Sequence, residues 1–485
     1  MFEVATGFSG SLCSGVGSST LKVKHFLALA AFAVISAVSF AQKTASVWLT
    51  TPDRAALFRQ QPEPIPFSNS SVSGAVIDVS DAKTYQTIDG FGFAVTGGSA
   101  QLLMRMDPAK RAAILRELYS DDGSGIGSSY IRVSVGASDM NDHVYSYDDL
   151  PKGETDVNMA KFSLDPDHAD VIPVLKEILA INRKIKILAS PWSAPLWMKT
   201  TGVARGGVLK PEYFPAYANY LVRYIQGMQA EGITIDTLTV QNEPLNEKNT
   251  PSMLMLESEQ DEFIKNHLGP AFRKAGIKTK IVLYDHNLDH PAYPLSILKD
   301  KNANKYVDGT GFHLYGGTVD AMTQVHSAFP KKNMYFTEQS VTERPGSTEI
   351  RISRPVARII IGATRNWSKN VLLWNLAADP EAGPHTNDGG CTGCRGAITI
   401  DGNDVTRNIA YYTLAHASKF VSPGSVRIES NDLELLPNVA FKTPQGEKVL
   451  IVSNVSDSPQ VFSVRSDGQV LSTTLSAGSV ATYVW

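Results

Sequence analysis

The chain has 485 residues, of which 43% are hydrophobic and 19% charged, and its formal net charge is −3. A chain of this length can bury one large core and a second, smaller one. The weakly negative charge and the absence of an arginine-rich stripe argue against a nucleic-acid partner. Beyond the N-terminal region, no segment is apolar enough to predict a stable membrane span.

The sequence predicts that residues 1–41 are a leader that ends in an export signal. Within them, residues 22–38 combine two lysines with an apolar run that is too short for a comfortable transmembrane helix. Small residues follow, so we expect cleavage before Gln42 and an exported mature protein, either periplasmic or extracellular. The Gly/Ser-rich residues 1–20 rarely precede such a signal, which favours a true start near Leu21.

Residues 42–85 form a lead-in that is rich in proline, glutamine and serine. Two short runs within it, residues 45–50 and 75–79, predict β-strands. No helix pattern connects these strands, so the lead-in differs from the segment that follows it.

Residues 86–403 alternate predicted strands with predicted helices, which is typical of parallel βα units. Amphipathic or capped stretches predict helices near residues 107–119, 167–182, 211–230, 258–275 and 353–366. Apolar runs predict eight strands near residues 87–93, 129–135, 184–190, 238–240, 280–284, 309–314, 333–337 and 371–373. Eight such strands over about 290 residues predict an α/β fold of the (β/α)8 TIM-barrel type.

Residues 404–485 return to short alternating runs that are separated by Asp, Gly, Ser and Pro turns. This pattern predicts a β-sandwich. We expect the lead-in strands to join it, so that the small domain is built from both ends of the chain.

Two of the predicted barrel strands end in a glutamate, Glu243 within Asn-Glu-Pro and Glu338 within Thr-Glu-Gln. A single glutamate at a strand end is most often a solvated loop residue. Two of them can face each other across a barrel mouth, and a separation of about 5–5.5 Å would suit glycoside hydrolysis with retention of configuration. Asn242 is placed to bind the sugar 2-hydroxyl, and Tyr315 to donate a hydrogen bond that keeps Glu338 ionised.

Two further motifs allow more than one interpretation. Trp192 lies in a Pro-Trp-Ser-Ala-Pro-Leu-Trp segment that follows a strand, where it can either pack in the core or form a stacking wall for a sugar ring. Cys391 and Cys394 lack the two further ligands of a structural zinc site and sit in a Gly-rich loop. A disulfide between them is therefore favoured over a metal or redox site.

The order of these motifs resembles glycoside hydrolase family 30, of the glucosylceramidase-like type. The resemblance covers nearly all of the mature chain. It rests on the segments Gln86–Gly92, Ile131–Val133, Ser138–Asp139, Ser190–Pro195, Asn242–Pro244, Thr337–Glu338, Trp374–Ala377, Gly383–Pro384 and Cys391–Gly396.

This resemblance implies a retaining β-glycosidase that needs neither a metal nor another cofactor. Glu243 matches the family's acid/base and Glu338 its nucleophile. The positions that line the family's sugar-binding subsite match Asp139, Trp192, Asn242 and Trp374. The positions that support its catalytic pair match Arg132, His313 and Tyr315.

Each of these residues also has a plainer interpretation. Trp374 can be a core residue, Asp139 a turn cap, His313 a histidine that does not touch substrate, and Arg132 only a partner for a carboxylate. The chain also departs from the family at Gly92–Gly98, which lacks an aspartate found in the more usual sequence. Residues 384–388 differ from the usual Pro-Asn-Trp form as well, which leaves the preference beyond the first sugar open.

The main functional hypothesis is an exported glucosylceramidase or β-glucosidase that acts on a β-glucoside or glycolipid. The alternative within the family is an endo-β-1,6-glucanase, a β-xylosidase or a β-fucosidase. A carbohydrate-binding barrel without catalysis is a third hypothesis, which the presence of both glutamates disfavours. A metal hydrolase is a fourth, and no His-Glu-x-x-His motif supports it. The sequence does not define the oligomeric state.

Overall fold

A computed structural model describes residue 17, residues 42–344 and residues 346–485. The predicted export signal and its cleavage site fall in residues 18–41, which lie outside the described residues. Cys13 also lies outside them. Within the described part of the chain, no helix combines the length and the apolar character that crossing a membrane requires.

The lead-in forms strands that belong to the sheet of the small domain. The structure places them at β1 (Thr44–Thr50), β2 (Arg59–Gln60), β3 (Ile65–Pro66) and β4 (Ala75–Thr87). The first and last of these match the strands predicted near residues 45–50 and 75–79, although β4 runs further than predicted.

The next eight strands close into a parallel barrel, as predicted. They are β5 (Gly90–Ala94), β6 (Tyr130–Val135), β7 (Lys186–Pro191), β8 (Thr237–Thr239), β9 (Lys280–Asn287), β10 (Val307–His313), β11 (Asn333–Glu338) and β12 (Ser368–Leu373). Neighbouring strands approach so closely at Gly92 that a Cβ there would lie 1.5 Å from the carbonyl oxygen of Tyr130. The absence of a side chain at Gly92 therefore permits this close strand packing.

The register of the barrel strands determines which side chains reach the barrel mouth. Tyr130, Leu188 and Leu372 form a small apolar cluster. Residues two apart on a strand share a face, so Arg132 follows Tyr130 towards the carboxyl end of the strands. The same spacing places Ser190 after Leu188 and Trp374 after Leu372.

Helices surround the barrel. They are α1 (Gly97–Arg105), α2 (Pro108–Tyr119), α3 (Val171–Ile181), α4 (Phe214–Ala230), α5 (Glu257–Phe263), α6 (Gly269–Ala275), α7 (Ala292–Lys299), α8 (Lys301–Asn304), α9 (Asp320–Ala328), α10 (Ser353–Pro355), α11 (Gly362–Arg365) and α12 (Ile409–Ser418). Two π-helical turns, Ile264–Leu268 and Val356–Ile361, join α5 to α6 and α10 to α11, so these pairs are the single helices predicted near residues 258–275 and 353–366.

The structure has a helix, α12, within residues 404–485, for which the sequence predicts a β-sandwich. A small sheet of β13 (Ala377–Ala378), β14 (Ile398–Asp401) and β15 (Asp404–Arg407) precedes α12, every residue of which is buried. A helix that is buried on all sides lacks the polar stripe by which sequence periodicity reveals helices. α1 was also not predicted, because Gly97 and Gly98 open it and glycine is a poor helix former.

The small domain uses both ends of the chain, as predicted. Its strands continue with β16 (Val426–Ser430), β17 (Asn438–Lys442), β18 (Lys448–Ser453), β19 (Gln460–Ser466), β20 (Gln469–Leu475) and β21 (Val480–Val484). β1 pairs antiparallel with β21, and β4 lies between β16 and β19. A separate apolar cluster, which includes Phe67, Ile77, Phe462 and Tyr483, forms its core.

A buried lysine joins two loops at the carboxyl end of the barrel. Lys199 is 1% exposed, and its Nζ donates hydrogen bonds to the carbonyl oxygens of Val203, Ala204 and Ser252 at 2.8–2.9 Å. Burial lowers the pKa of Lys199 to about 7, yet three acceptors match the three N–H bonds of the ammonium form. Lys199 thus fastens the loop after β7 to the loop after β8.

We expect Lys199→Met to lower the free energy of unfolding by about 3 kcal/mol, because three buried carbonyl groups lose their donor. Denaturant unfolding measures the change. The control is Lys152→Met at an exposed lysine, for which we expect a change within about 0.5 kcal/mol. Equal losses for the two variants would contradict this account.

Candidate active site

The two predicted glutamates meet at the carboxyl end of the barrel. Glu338 is the last residue of β11, and Glu243 follows β8 by four residues. Both are nearly buried, and one carboxylate oxygen of each lies within 4.8 Å of the other and of a His313 ring nitrogen. This separation is in the range of a retaining pair and is too short for the 6.5–9.5 Å or so of an inverting one.

Local backbone geometry fixes the position of Glu243. Its φ angle of 43° is in the left-handed region, which is unfavourable for a residue with a Cβ. The conformation is held because the Glu243 N–H donates to the carbonyl of Asp285 at 3.0 Å and the Asn242 N–H to that of Pro191 at 2.8 Å. Asn246 Nδ2 then donates to Glu243 Oε2 at 2.6 Å, so backbone and side chain are both constrained.

Arg132 is the cation at the centre of the site. It is fully buried, and its guanidinium donates to Glu338 Oε2 at 2.5 Å, to Asn242 Oδ1 at 2.7 Å and to Asp285 Oδ2 at 2.9 Å. A buried charge is tolerated only when it is paired and hydrogen-bonded, and these contacts meet that condition. Arg132 therefore orients the Glu338 carboxylate and the Asn242 amide together.

Asp285 belongs to the site, although the sequence analysis did not assign it a role there. It is fully buried and accepts hydrogen bonds from Arg132, from Ser190 at 2.7 Å and from Thr239 at 2.8 Å. Burial alone would raise its pKa, but Arg132 and His313 outweigh burial and hold that pKa well below its usual range. The signal that could have identified it is its place after a predicted strand, the place that Glu243 and Glu338 also occupy.

His313 bridges two carboxylates. Its Nδ1 lies 3.1 Å from Glu243 Oε1, and its Nε2 lies 3.1 Å from Asp285 Oδ1. Burial alone would lower its pKa, but the charges of Glu338, Asp285 and Glu243 raise it to about 9. In return, the hydrogen bond and charge of His313 overcome the effect of burial on Glu243 and lower the pKa of that carboxyl to about 2.

The second oxygen of Glu338 is also occupied. Tyr315 donates its hydroxyl hydrogen to Glu338 Oε1 at 3.0 Å, as predicted, and the same hydroxyl lies 3.1 Å from Ser340 Oγ. Burial raises the pKa of Glu338, while the charges of His313 and Arg132 oppose that rise. Each carboxylate oxygen of Glu338 therefore has a donor that favours its ionised form.

The two tryptophans predicted for the site occupy different layers. Both are buried, at 2% exposure for Trp192 and 3% for Trp374, but only Trp374 lines the cavity. Their ring centroids are 5.4 Å apart, with 28° between the ring planes. The Arg132 guanidinium lies 4.8 Å from the Trp192 ring centroid and 5.7 Å from that of Trp374. Trp374 thus contributes to the cavity wall, and Trp192 packs against it.

Asp139 lines the same cavity and is only 5% exposed. Its Oδ1 has no hydrogen-bond partner among the described residues. Burial, reinforced by the charges of Glu338 and Glu243, raises its pKa to about 8. Nearby, a Cβ at Gly97 would lie 1.9 Å from Asn141 Nδ2, so the Asn141 side chain fills the space beside the position where the usual aspartate is missing.

The cavity has a volume of about 790 Å³, and most of the residues that line it have polar or charged side chains. Its lining includes the loop of residues 245–249 and also Cys391 and Cys394, which form the predicted disulfide. Apart from Leu245, Tyr315, Trp374 and this disulfide, the lining is almost entirely Asp, Glu, Asn, Lys, His, Ser and Thr.

Glu243, His313 and Glu338 could in principle ligate a metal ion, because their donor atoms lie within 4.8 Å of one another. However, Arg132 and Tyr315 already occupy both oxygens of Glu338, and both ring nitrogens of His313 face carboxylates. The positive charge of Arg132, which contacts Glu338, would repel a second cation. The geometry therefore suits proton transfer better than metal binding.

Comparison with known proteins places these residues in a family. Residues 88–421 match the TIM-barrel domain of glycosyl hydrolase family 30, and residues 424–483 match its β-sandwich domain. An endo-1,6-β-D-glucanase of Neurospora crassa is 33% identical over 86% of this chain and 89% of its own. The lysosomal acid glucosylceramidase of Mus musculus is 28% identical over 86% of this chain and 85% of its own.

Solved structures agree with this placement. The structure of an endo-β1,6-glucanase is 35% identical and superimposes with a TM-score of 0.83, over 91% of this chain and 99% of its own. The family domains, the relatives and the closed barrel all indicate the same assignment. The chain belongs to glycosyl hydrolase family 30 and is a glycoside hydrolase.

Proposed function

We propose that the protein is a retaining β-glycosidase that cleaves β-1,6-linked glucan by double displacement. The observation that carries the proposal is the close approach of Glu243 and Glu338, of which only Glu338 accepts hydrogen bonds from Arg132 and Tyr315. Glu338 is the nucleophile, because the donors to both of its oxygens stabilise the ionised carboxylate. Glu243 is the acid and base, because its carboxylate contacts a proton source, His313.

The proton that Glu243 donates comes from His313. Both ring nitrogens face carboxylate oxygens, so a proton must lie between Nδ1 and Glu243 Oε1. In the free enzyme His313 holds it, which agrees with the raised pKa of His313 and the lowered pKa of Glu243. Glu243 takes this proton as the glycosidic bond breaks and passes it to the leaving oxygen while Glu338 bonds to the anomeric carbon.

The second step returns the proton. A water molecule loses a proton to Glu243 and attacks the anomeric carbon, and the bond to Glu338 breaks. Glu243 then passes the proton back to His313, which restores the starting state. Two inversions at the anomeric carbon give net retention.

The lining of the cavity favours a sugar over a lipid as the leaving group. Asn246, Glu247, Lys248 and Asn249 adjoin Glu243, and these polar side chains suit hydroxyl groups better than a ceramide chain. The relatives named above as β-1,6-glucanases are also more similar to this chain than the glucosylceramidase is. We therefore favour the β-1,6-glucan hypothesis over glucosylceramide.

Export is part of the proposal, and its support is the apolar segment before residue 42. The Cys391–Cys394 disulfide is compatible with an oxidising compartment, where such bonds persist.

We expect Glu338→Gln to abolish turnover of every β-glucoside, because no nucleophile remains. Glu243→Ala should lose far more activity on a gluco-oligosaccharide than on an activated aryl glucoside, whose leaving group needs no proton. Steady-state rates on the two substrates measure the difference, and NMR of the first product should show the β-anomer. Asp142→Asn, at an exposed aspartate, is the control. Equal losses for Glu243→Ala on both substrates, or an inverted product, would contradict the roles.

The raised pKa of His313 predicts a pH dependence of stability. Its folded-state value of about 9 exceeds its ordinary 6.5, so its contribution is fully present below pH 6.5 and is lost as the pH rises through about 9. We expect the melting temperature of His313→Gln to fall less than that of the wild type between pH 6.5 and 9. The control is His143→Gln, at an exposed histidine, which should follow the wild type. If the melting temperatures of His313→Gln and the wild type fell by the same amount between pH 6.5 and 9, the buried imidazolium would be disproved.

A substrate panel tests the preferred glycan. We expect kcat/KM to be highest on β-1,6-linked gluco-oligosaccharides, at least about tenfold lower on glucosylceramide in detergent micelles, and lower still on β-xylosides. Chromatography of early products should show internal cleavage of a β-1,6-glucan. Preferential hydrolysis of glucosylceramide would instead favour the lipid hypothesis.

A further inference from the structure

The cavity contains a histidine that none of the steps above uses. His286 is only 7% exposed and lines the cavity beside Glu243 and Asn287. Its Nδ1 is buried and has no hydrogen-bond partner among the described residues. A buried polar atom without a partner costs stability, so its retention calls for a function.

The backbone of β9 turns this side chain towards the cavity. Tyr284 and Asp285 have φ angles of 73° and 64°, and the pairing of β9 with β10 skips Asp285 between Gly311 and Phe312. Such a bulge re-aims the side chains that follow it. Asp285 thereby reaches Arg132 and His313, while the next residue, His286, also contributes to the cavity wall instead of pointing away from it.

The surroundings of His286 place it on the leaving-group side of the cavity. Among the charged groups that act on it most strongly are Glu243, His313 and Asp289. Glu243 must lie next to the glycosidic oxygen to protonate it, and Glu338, which attacks the anomeric carbon, is not among these groups. His286 can therefore contact the sugar beyond the glycosidic oxygen. Burial lowers the pKa of His286 to about 4, which leaves the imidazole neutral with one N–H donor and one acceptor nitrogen.

We propose that His286 is a specificity-determining residue that hydrogen-bonds a hydroxyl group of the leaving-group sugar. A hydroxyl both donates and accepts, so it matches the neutral imidazole that His286 contributes to the cavity wall. Asn246 and Asn287, which line the same part of the cavity, add further donors and acceptors for that sugar. This inference rests on the proposed β-glucan hydrolysis and deepens it by naming a residue that selects the leaving group.

The test compares two substrates that share the first sugar. One is a β-1,6-linked gluco-oligosaccharide and the other is 4-nitrophenyl β-glucoside, whose leaving group carries no sugar hydroxyl. We expect His286→Phe to lower the ratio of their kcat/KM values, oligosaccharide over aryl glucoside, at least about tenfold. This ratio does not depend on the fraction of the protein that folds, so a folding defect cannot imitate the effect.

Two variants complete the experiment. His286→Asn keeps a donor and an acceptor and should restore part of the ratio, whereas His290→Phe, at an exposed histidine four residues away, should leave the ratio unchanged. If the wild type cleaves both substrates and His286→Phe keeps its ratio within about threefold, this inference is overturned while the proposed function stands. If the wild type cleaves neither substrate, the proposed function fails and the inference fails with it.

Discussion

The site depends on one buried cation. Arg132 has no contact with water, and the groups that neutralise it, Glu338 and Asp285, come from two other barrel strands. Its guanidinium also holds Asn242, so three segments that are distant in sequence are fixed by one planar group. Removing either carboxylate would leave charge buried without full compensation, so the ion pairs hold these strand ends in place.

This arrangement also explains how two similar glutamates acquire different roles. Neither carboxylate is distinguished by exposure, since both are almost buried. They differ in their donors. Glu338 is hydrogen-bonded to an arginine and a tyrosine, and both hold their protons more firmly than His313, the hydrogen-bond partner of Glu243, does. The fold therefore assigns the two roles through these donors. Glu243 lies beside a histidine that can transfer its proton, and Glu338 lies beside two groups that keep theirs.

Much of the fold and part of the site could be predicted from the sequence. The eight strands were visible because each apolar run is short and ends in polar residues, and Glu243 and Glu338 were visible because a carboxylate at the end of such a run is expensive to bury without a purpose. Arg132 has a predicted role only through the resemblance to a family, since a sequence does not show which cation meets which carboxylate.

Other features could not be predicted from the sequence, for physical reasons. Asp285 acquires its position from a bulge with two left-handed residues, and no residue type in Leu-Tyr-Asp-His marks such a bulge. The α12 helix is buried on every side, so it has no amphipathic pattern. The resemblance to a glucosylceramidase-like family in the sequence favours a β-glucoside or glycolipid substrate. The polar loop at residues 245–249 changes that judgement only once its position beside Glu243 is known.

The pairing of β1 with β21 has a consequence for how the protein is made. These strands are more than 400 residues apart in sequence yet are neighbours in one sheet. Likewise, β4 pairs with β16 and β19, which are synthesised much later. A ribosome releases the chain from its N-terminus, so the first strand emerges long before its partner exists. The barrel can condense during synthesis, but the smaller domain closes only after the last residues appear, and until then the edges of β1 and β4 are open to chaperones or to aggregation.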